Sequence, residues 1–252
     1  MSSGPRYYVR VQNPELNAIV ERSESFMLRK HDVSTTVGIV KGRELGLTPD
    51  VLIKRFNDRG FFDFLIHTFS KSRARRLWDT NVRLYQRGLP VPEPVAYTEP
   101  LLRDRVSFHL SVAVENAEKL STRYREGLFR NNRELLLPLA RTIAEWHLKG
   151  AVHGDLKWPN ILVQEKENGY AFFFIDLDQS RLYSAPCTAG MKKDLKRFCR
   201  FGLEMGAESW VESEFFPAYL SFLPQEIRKK IDPVQIRNEA RREWIRKGSK
   251  KW

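Results

Sequence analysis

The feature that most constrains the fold is a polar loop, residues 153–160, followed by two short apolar runs. The loop ends at Asn160, the runs occupy residues 161–163 and 170–175, and an Asn-Gly pair typical of hairpin turns lies between them. Asp176 follows the second run directly. Two such runs joined by a turn predict an antiparallel hairpin, so we expect Asn160 and Asp176 to lie side by side at one end of it.

The polar residues of this segment are the types that phosphoryl transfer requires. One carboxylate accepts the proton of the attacking hydroxyl, while a second carboxylate and an amide oxygen hold Mg²⁺ on the nucleotide phosphates. We therefore expect Asp155 to be the catalytic base, and Asn160 and Asp176 to be the metal ligands. An acidic surface hairpin is the alternative, but it would not require this order and spacing.

Length and composition bound the class of protein. The 252 residues, of which 42% are hydrophobic, suit one bilobal unit or two small domains with a proper core. No run reaches the ~18 uninterrupted apolar residues of a membrane span. The N-terminus has no apolar signal core, so we expect a cytoplasmic protein. Cys187 and Cys199 fit neither a metal site nor a disulfide framework.

The net charge of +12 favours an anionic partner, which leaves nucleic acid, an anionic membrane surface and a phosphorylated substrate as candidates. No nucleic-acid motif with interleaved aromatic residues is evident, so nucleic acid is not expected. A merely soluble basic surface stays as the alternative. Residues 237–252 concentrate basic residues around Trp244 and Trp252, which fits either a helix at the membrane surface or a solvated terminal helix.

Periodicity and turn signals divide the rest of the chain. Helical spacing of apolar residues predicts helices at residues 70–87, 135–149 and 191–205, with Ser72 as a cap of the first. Residues 115–118 are the expected hinge between two lobes. Strands are expected at residues 25–28, 51–56 and 106–114, and residues 34–40 are expected to form a turn that runs into a further strand.

The loop and hairpin resemble the catalytic segment of the protein-kinase-like superfamily. His153-Gly154-Asp155 stands where protein kinases carry His-Arg-Asp, Asn160 stands at the catalytic-loop Asn, and Asp176 at the Asp of Asp-Phe-Gly. Gly at 154 is similar to small-molecule kinases of the aminoglycoside and choline type. The resemblance implies an α+β, bilobal protein-kinase-like fold, with ATP and Mg²⁺ as cofactors. The small β-rich N-lobe would cover residues 1–114, and the larger, mainly helical C-lobe residues 115–252.

The resemblance also implies a phosphate-binding role for the N-lobe. Lys54, on the third expected strand, would contact the α- and β-phosphates, although a solvent-facing strand lysine is the alternative. No Gly-x-Gly-x-x-Gly motif covers the phosphates. Backbone N–H groups and hydroxyls would replace it. The residues expected to supply them are Ser34, Thr35, Thr36 and Gly38.

Further roles follow from the same resemblance. Lys157 would lie near the transferred phosphoryl group and offset its charge. His153 would be structural, and Asp194 would hold the catalytic loop from below, unless it only caps a helix. Kinases usually pair the strand lysine with a Glu on the following helix, and here Leu77 stands at that position. Asp79 is two residues on, a rotation of about 200° on a helix, so it is no simple substitute.

Less specific motifs indicate one family within this superfamily. Residues 53–56, 71–78 and 88–95, taken with 153–160, are similar to the bacterial lipopolysaccharide kinase family. Members of that family phosphorylate heptose or 3-deoxy-manno-octulosonic acid in the lipopolysaccharide inner core. This implies a kinase that transfers the γ-phosphoryl group of ATP to a sugar hydroxyl. It also implies an anionic glycolipid or sugar acceptor. The basic residues 237–252 would then hold the protein at the cytoplasmic face of the inner membrane, where a lipid-linked acceptor would be presented. Another small-molecule kinase and a non-catalytic kinase-like scaffold remain alternatives.

Overall fold

Two compact units make up the computed structural model of the protein, Met1–Glu115 and Asn116–Trp252. The boundary predicted from the sequence lies one residue earlier, between residues 114 and 115. Of the expected hinge, residues 115–118, Ala117 and Glu118 lie in a strand of the second unit instead. The residues that the structure describes are 16, 18–19, 27–31, 34–57, 71–99, 106–127 and 133–248.

A five-stranded antiparallel sheet forms the described part of the first unit. Its strands pair in the order β1-β2-β3-β5-β4. Residues such as Val40, Ile53 and Leu110 are fully buried in its core. Ser25 and Phe26 of the first expected strand lie outside the described residues. The strands are β1 Met27–His31, β2 Thr35–Val40, β3 Val51–Phe56, β4 Pro94–Tyr97 and β5 Ser107–Val112.

Strand β2 contains part of the segment that is predicted to bind phosphates. Thr36 and Gly38 lie inside this strand, and Gly38 is paired with Leu28 of β1 on one side and with Ile53 of β3 on the other. The backbone groups of an inner strand bond to its neighbours. The backbone groups of Thr36 and Gly38 are therefore shared with the neighbouring strands, and a role of these two residues toward phosphate stays a prediction.

Helix α1, Arg73–Gln86, packs against β4 and β5. As predicted, Ser72 caps it, and its side chain accepts a hydrogen bond of 3.1 Å from the backbone N–H of Arg75. Its buried face carries Leu77 and Asn81 among others. Gly88, with a φ of 66°, allows the chain to leave the helix in the left-handed conformation.

Helices and a small sheet build the second unit. Strand β8 lies between β6 and β9, and a second pair joins β7 to β10. The strands are β6 Ala117–Lys119, β7 Ala151–Val152, β8 Ile161–Lys166, β9 Gly169–Phe174 and β10 Arg181–Leu182. The longer helices are α2 Leu120–Arg125, α3 Arg133–Leu148, α4 Thr188–Glu204, α5 Phe216–Ser221 and α6 Pro233–Gly248. The helices predicted at 135–149 and 191–205 are confirmed, and α4 begins three residues earlier than expected.

Aromatic residues fill the core of this unit. The ring of Trp146 lies 4.5 Å from that of Phe174, and Phe198 stacks on Phe215 at 4.3 Å between ring centroids. Helix α6 packs on α4 and buries Ile236 and Ala240. Over its described length the C-terminal helix is thus part of the fold rather than a free tail. Among the described helices, none combines the length and the apolar character needed to cross a membrane.

Candidate active site

The end of the β8–β9 hairpin brings two of the predicted site residues together. Ile161 pairs with Phe174, and the backbone N–H of Ile175 donates to the carbonyl of Asn160 at 3.0 Å. Asn160 and Asp176 therefore flank the same end of the hairpin. The predicted hairpin is confirmed, because its strands and its turn fall where the pattern places them.

Helix α4 holds the loop before the hairpin through one buried carboxylate. Asp194 is fully buried and accepts hydrogen bonds from the backbone N–H groups of His153, at 2.6 Å, and of Gly154, at 2.8 Å. Since Asp194 lies well inside Thr188–Glu204, the alternative helix-cap role is wrong. The expectation that Asp194 supports the loop agrees with these two contacts.

Only glycine suits position 154. Gly154 has a φ of 83°, in the region that residues with a side chain rarely adopt. A Cβ there would lie 2.6 Å from the carbonyl oxygen of Gln179. The Gly that distinguishes this loop from the His-Arg-Asp of protein kinases is therefore required by the local backbone.

The imidazole of His153 links the loop to the hairpin. Its Nε2–H donates to the carbonyl of Ile175 at 2.9 Å, so its Nδ1 can accept from the N–H of Asp155 at 3.3 Å. Burial lowers the pKa of His153 below its ordinary value, against the opposing influence of the Asp194 carboxylate. A neutral ring has one donor and one acceptor, and both contacts require that form. The structural role predicted for His153 fits these bonds.

A second buried histidine extends this support, and sequence reasoning missed it. His147 of α3 lies between Tyr219 of α5, with 2.8 Å from Nδ1 to the hydroxyl, and Asp194, with 3.4 Å from Nε2 to Oδ2. All three side chains are fully buried. Three helices are thus tied together behind the loop. No local pattern marks His147, because its partners lie 47 and 72 residues away.

The carboxylate of Asp155 lies between two cations. Lys157 contacts Oδ2 at 3.0 Å, and the Nε of Arg197 contacts Oδ1 at 2.5 Å. Asn160 donates from Nδ2 to the Asp155 carbonyl at 3.0 Å and to Oδ2 at 3.4 Å. Burial alone would raise the pKa of Asp155, but the hydrogen bonds from Lys157 and Arg197 hold it below its ordinary value. Asp155 is therefore ionised at neutral pH.

Sequence reasoning also missed Arg197. No residue of the loop indicates that Arg197 belongs to the site, because Arg197 lies 42 residues after Asp155. The one available signal is its position three residues after Asp194 on the same helix. Side chains at that spacing share a face, so a residue next to the loop's anchor is a natural neighbour of the loop.

Asp176 has an unusual backbone. Its φ of 61° and ψ of 53° are left-handed, and its side chain is exposed at the hairpin end. Asp and Asn adopt this conformation more readily than most residues, and such backbones cluster at functional sites. With the Nδ2 of Asn160 donating to Asp155, the Oδ1 of Asn160 is the oxygen with which it would ligate a cation.

This donor set fits Mg²⁺ bound together with nucleotide. Mg²⁺ is held by one or two carboxylates, with the remaining positions filled by phosphate oxygens and water. Asp176 and Asn160 supply one carboxylate and one amide oxygen. Within the described ranges, no group of three or more His, Cys, Asp and Glu side chains could hold a metal by itself. The described residues therefore contain no cluster of these side chains that would bind a metal without the nucleotide.

The other predicted site residues lie in the first unit. Lys54 is on β3 as predicted, opposite His109 of β5, and its Nζ lies 5.5 Å from the ring centre of Phe56. Ser34 precedes β2, and its carbonyl accepts from Arg73 of α1 at 3.3 Å. Thr35 is the first residue of that strand. The roles of these residues toward phosphate stay predictions.

The departure at Leu77 is also visible in the first unit. Leu77 is buried on the inner face of α1. Asp79, the nearest acid, forms an ion pair of 2.5 Å with Lys71. Asp79, the acid nearest to the position where kinases carry Glu, is therefore already paired with a cation other than Lys54.

The first unit contains a five-stranded antiparallel sheet. In the second unit, a loop with Asp155 leads into a hairpin flanked by Asn160 and Asp176. These features define a protein of the kinase-like class. A family model narrows the assignment. The model described as the lipopolysaccharide kinase (Kdo/WaaP) family matches residues 53–218, and the chain belongs to this family. The family resemblance predicted from the sequence is confirmed.

Relatives and a solved structure agree with this assignment. A 3-deoxy-D-manno-octulosonic acid kinase of Stenotrophomonas maltophilia (strain K279a) is 28% identical over 129 residues, 51% of this chain and 49% of the relative. The enzyme of the same name from Haemophilus influenzae is 30% identical over 100 residues, 38% of this chain and 41% of the relative. The matches thus span about half of these relatives or less.

The structure titled "WaaP in complex with acyl carrier protein" has a TM-score of 0.63 and 17% identity, covering 93% of this chain and 92% of that one. At this identity the likeness shows the fold alone. The predicted kinase-like fold is confirmed.

Proposed function

We propose that the protein is an ATP-dependent kinase that phosphorylates a sugar hydroxyl of the lipopolysaccharide inner core. One observation carries the proposal, the placement of the ionised Asp155 beside Asn160 and near the hairpin end that carries Asp176. Family membership supports the same reaction type. ATP is the proposed donor and Mg²⁺ the proposed metal.

In the proposed reaction, Asp155 accepts the proton of the acceptor hydroxyl. The hydroxyl oxygen bonds to the γ-phosphorus while the bond from that phosphorus to the bridging oxygen breaks, and ADP leaves. Lys157 can turn from the carboxylate to the transferred group and offset its charge. Asn160 and Asp176 would hold Mg²⁺, which would neutralise charge on the phosphate oxygens. Lys54 binds the α- and β-phosphates.

An acidic core sugar is the acceptor that the available facts favour. Relatives named as 3-deoxy-D-manno-octulosonic acid kinases match the chain, and this sugar carries a carboxylate. The net charge of +12 attracts such an acceptor and repels cationic ones. This separates the proposal from the aminoglycoside and choline alternatives. A non-catalytic scaffold would not need a base and two metal ligands that lie close together.

The proposal is tested by incubating the full chain with labelled ATP, Mg²⁺ and core oligosaccharides that do or do not contain 3-deoxy-D-manno-octulosonic acid. We expect label on the oligosaccharide that contains this sugar. An aminoglycoside and choline serve as competing acceptors. Label on either of them, and none on the core sugar, would support the alternative kinase class instead.

We predict that Asp176→Asn weakens productive Mg²⁺–ATP binding. Asn tolerates the left-handed backbone, so the variant removes charge without adding strain, and an amide attracts the metal less than a carboxylate. Activity is measured as Mg²⁺ is titrated, and the half-saturating concentration should rise at least about tenfold, as for other losses at a metal site. Asp178→Asn is the control. An unchanged requirement in Asp176→Asn with a raised one in Asp178→Asn would move the ligand role to Asp178.

We further propose that the outer face of α6 contacts an anionic membrane surface, as a peripheral attachment. Its inner face packs on the protein, while Arg241, Arg242 and Arg246 are exposed. Between them Trp244 is 42% exposed and Ile245 57% exposed. Cationic residues beside exposed apolar ones suit a lipid headgroup interface. Arg237, on the same helix, is already paired with Glu212.

Replacing Arg241, Arg242 and Arg246 with Gln should weaken binding to anionic vesicles roughly 10²-fold, because each basic residue contributes about 1 kcal/mol near such a surface. Cosedimentation at low and high salt measures the loss. Substitution is preferable to truncation, which would remove the buried Ile236 and Ala240. Lys193, Lys229 and Lys230 changed to Gln give a charge-matched control outside α6. Equal losses in both triple variants would mean that overall charge, not this helix, drives binding.

A further inference from the structure

The proposed reaction does not explain the contact between Arg197 and Asp155, the expected base. The Nε of Arg197 lies 2.5 Å from Oδ1 of Asp155, and the arginine side chain is 25% exposed. The loop itself supplies no such contact to Oδ1. Helix α4 brings Arg197 there from 42 residues further along the chain.

The two oxygens of Asp155 have different neighbours. Oδ2 faces Lys157 at 3.0 Å and the Nδ2 of Asn160 at 3.4 Å, both from the loop itself. Oδ1 faces Arg197. Lys157 has a long flexible stem and can exchange the carboxylate for a phosphoryl group, which would leave Oδ2 for the acceptor hydroxyl. Arg197 is the contact that can stay in place during that exchange.

Helix α4 fixes the loop at two levels. Asp194 binds the backbone of His153 and Gly154, and Arg197, three residues later on the same face, binds the side chain of Asp155. The backbone anchor sets where the loop runs. The side-chain anchor sets the rotation of the carboxylate. A base must lie within hydrogen-bond reach of the proton that it takes, so this rotation decides whether the loop is productive.

We propose that Arg197 is a positioning residue, which holds Oδ1 of Asp155 through its Nε–H so that Oδ2 faces the acceptor hydroxyl. The proposal rests on the function proposed above and adds a residue to it. Arg197 acts through Asp155 and needs no contact with the acceptor. The competing role is that Arg197 binds an anionic group of the acceptor through its terminal nitrogens.

Two substitutions of nearly equal length separate these roles. Met reaches as far as Arg Nε but has no donor, whereas the Nε2 of Gln falls where Arg has Nε and can still donate, without the charge. We expect Arg197→Met to lower kcat about 10²-fold, the size of effect that a small misplacement of a reacting group can have. KM for ATP and for the acceptor should stay within about twofold, since binding of neither is lost. Arg197→Gln should recover most of kcat.

Lys193→Met is the matched control, because it removes the same charge from an exposed position one turn earlier on α4. It should keep the activity of the unchanged protein. Unimpaired kcat in Arg197→Met, or equal losses in the Met and Gln variants, would overturn the proposal. So would a raised acceptor KM with unchanged kcat, which would make Arg197 an acceptor-binding residue.

Crystal structures of the unchanged protein and both variants decide the proposal without any acceptor. The Asp155 carboxylate should keep its rotation in Arg197→Gln and leave it in Arg197→Met. A carboxylate that stays in place in Arg197→Met would overturn the positioning role. If the unchanged protein transfers no phosphate to any sugar, the proposed function fails, and these structures still test the contact.

Discussion

Asp155→Asn should reduce phosphate transfer by ~10²–10⁴-fold, the usual contribution of a positioned general base. The amide has nearly the same shape as the carboxylate, so the loop held by Asp194 should keep its course. The change removes the negative charge that Lys157 and Arg197 contact. It also removes the group that accepts the proton. The loss should appear in kcat, because the contacts proposed for ATP lie on other residues.

The measurement for Asp155→Asn is initial-rate kinetics with ATP and the core acceptor, beside thermal unfolding and ATP binding. KM for ATP and the melting temperature should stay close to those of the unchanged protein. Glu167→Gln, an exposed residue in the β8–β9 turn, is a control for loss of one negative charge. Turnover within a few-fold of normal in Asp155→Asn would show that another group takes the proton.

Asp194→Ala should lower the free energy of unfolding by roughly 3–5 kcal/mol, the cost of removing one partner from a buried charged network. The buried N–H of His153 and the partly buried N–H of Gly154 would lose their acceptor, and His147 would lose a neighbour. Each unsatisfied buried group costs about 1–3 kcal/mol. Asp194→Asn should cost less, since its carbonyl oxygen can still accept from one of the two N–H groups.

Urea unfolding followed by tryptophan fluorescence measures this effect, because Trp146 and Trp158 are fully buried in the second unit. Glu167→Ala should stay within about 0.5 kcal/mol of the unchanged protein, as exposed substitutions usually do. A loss below about 1 kcal/mol for Asp194→Ala would mean that water or neighbouring groups replace the carboxylate. The support of the loop by α4 would then be weaker than its geometry indicates.

Local chemistry made several elements predictable from the sequence. The Asn-Gly pair between two apolar runs predicts a hairpin, and the observed pairing of Ile161 with Phe174 sets Asn160 and Asp176 at one end of it. Ser72 before a helical pattern predicts a cap, and the cap is present. In these cases the residues that determine the structure are neighbours in the chain.

The polar start of the segment at residues 34–40 predicts a turn, and β-branched Thr suits the strand that follows it. The partners of that strand are not local, because β2 pairs with β1 and β3. The pattern therefore predicts the strand but not the pairing of Thr36 and Gly38 within the sheet.

The supporting residues of the site could not be predicted because their partners are far away in the chain. Arg197 meets Asp155 across 42 residues, and His147 meets Tyr219 across 72. No periodicity or spacing records such a meeting. The packing of α3, α4 and α5 behind the loop creates it. The groups proposed to react could thus be predicted from a motif, whereas the groups that hold them could be found only in the fold.

Mass spectrometry of the acceptor shows directly whether the protein phosphorylates the core sugar and whether it needs Asp155 to do so. The unchanged protein and Asp155→Asn are incubated with ATP, Mg²⁺ and lipid A that carries 3-deoxy-D-manno-octulosonic acid, and the product is fragmented. We expect one added phosphate on that sugar, formed by the unchanged protein and absent or far slower with Asp155→Asn. An acceptor of unchanged mass would contradict the proposed reaction, as would phosphate added equally by both proteins.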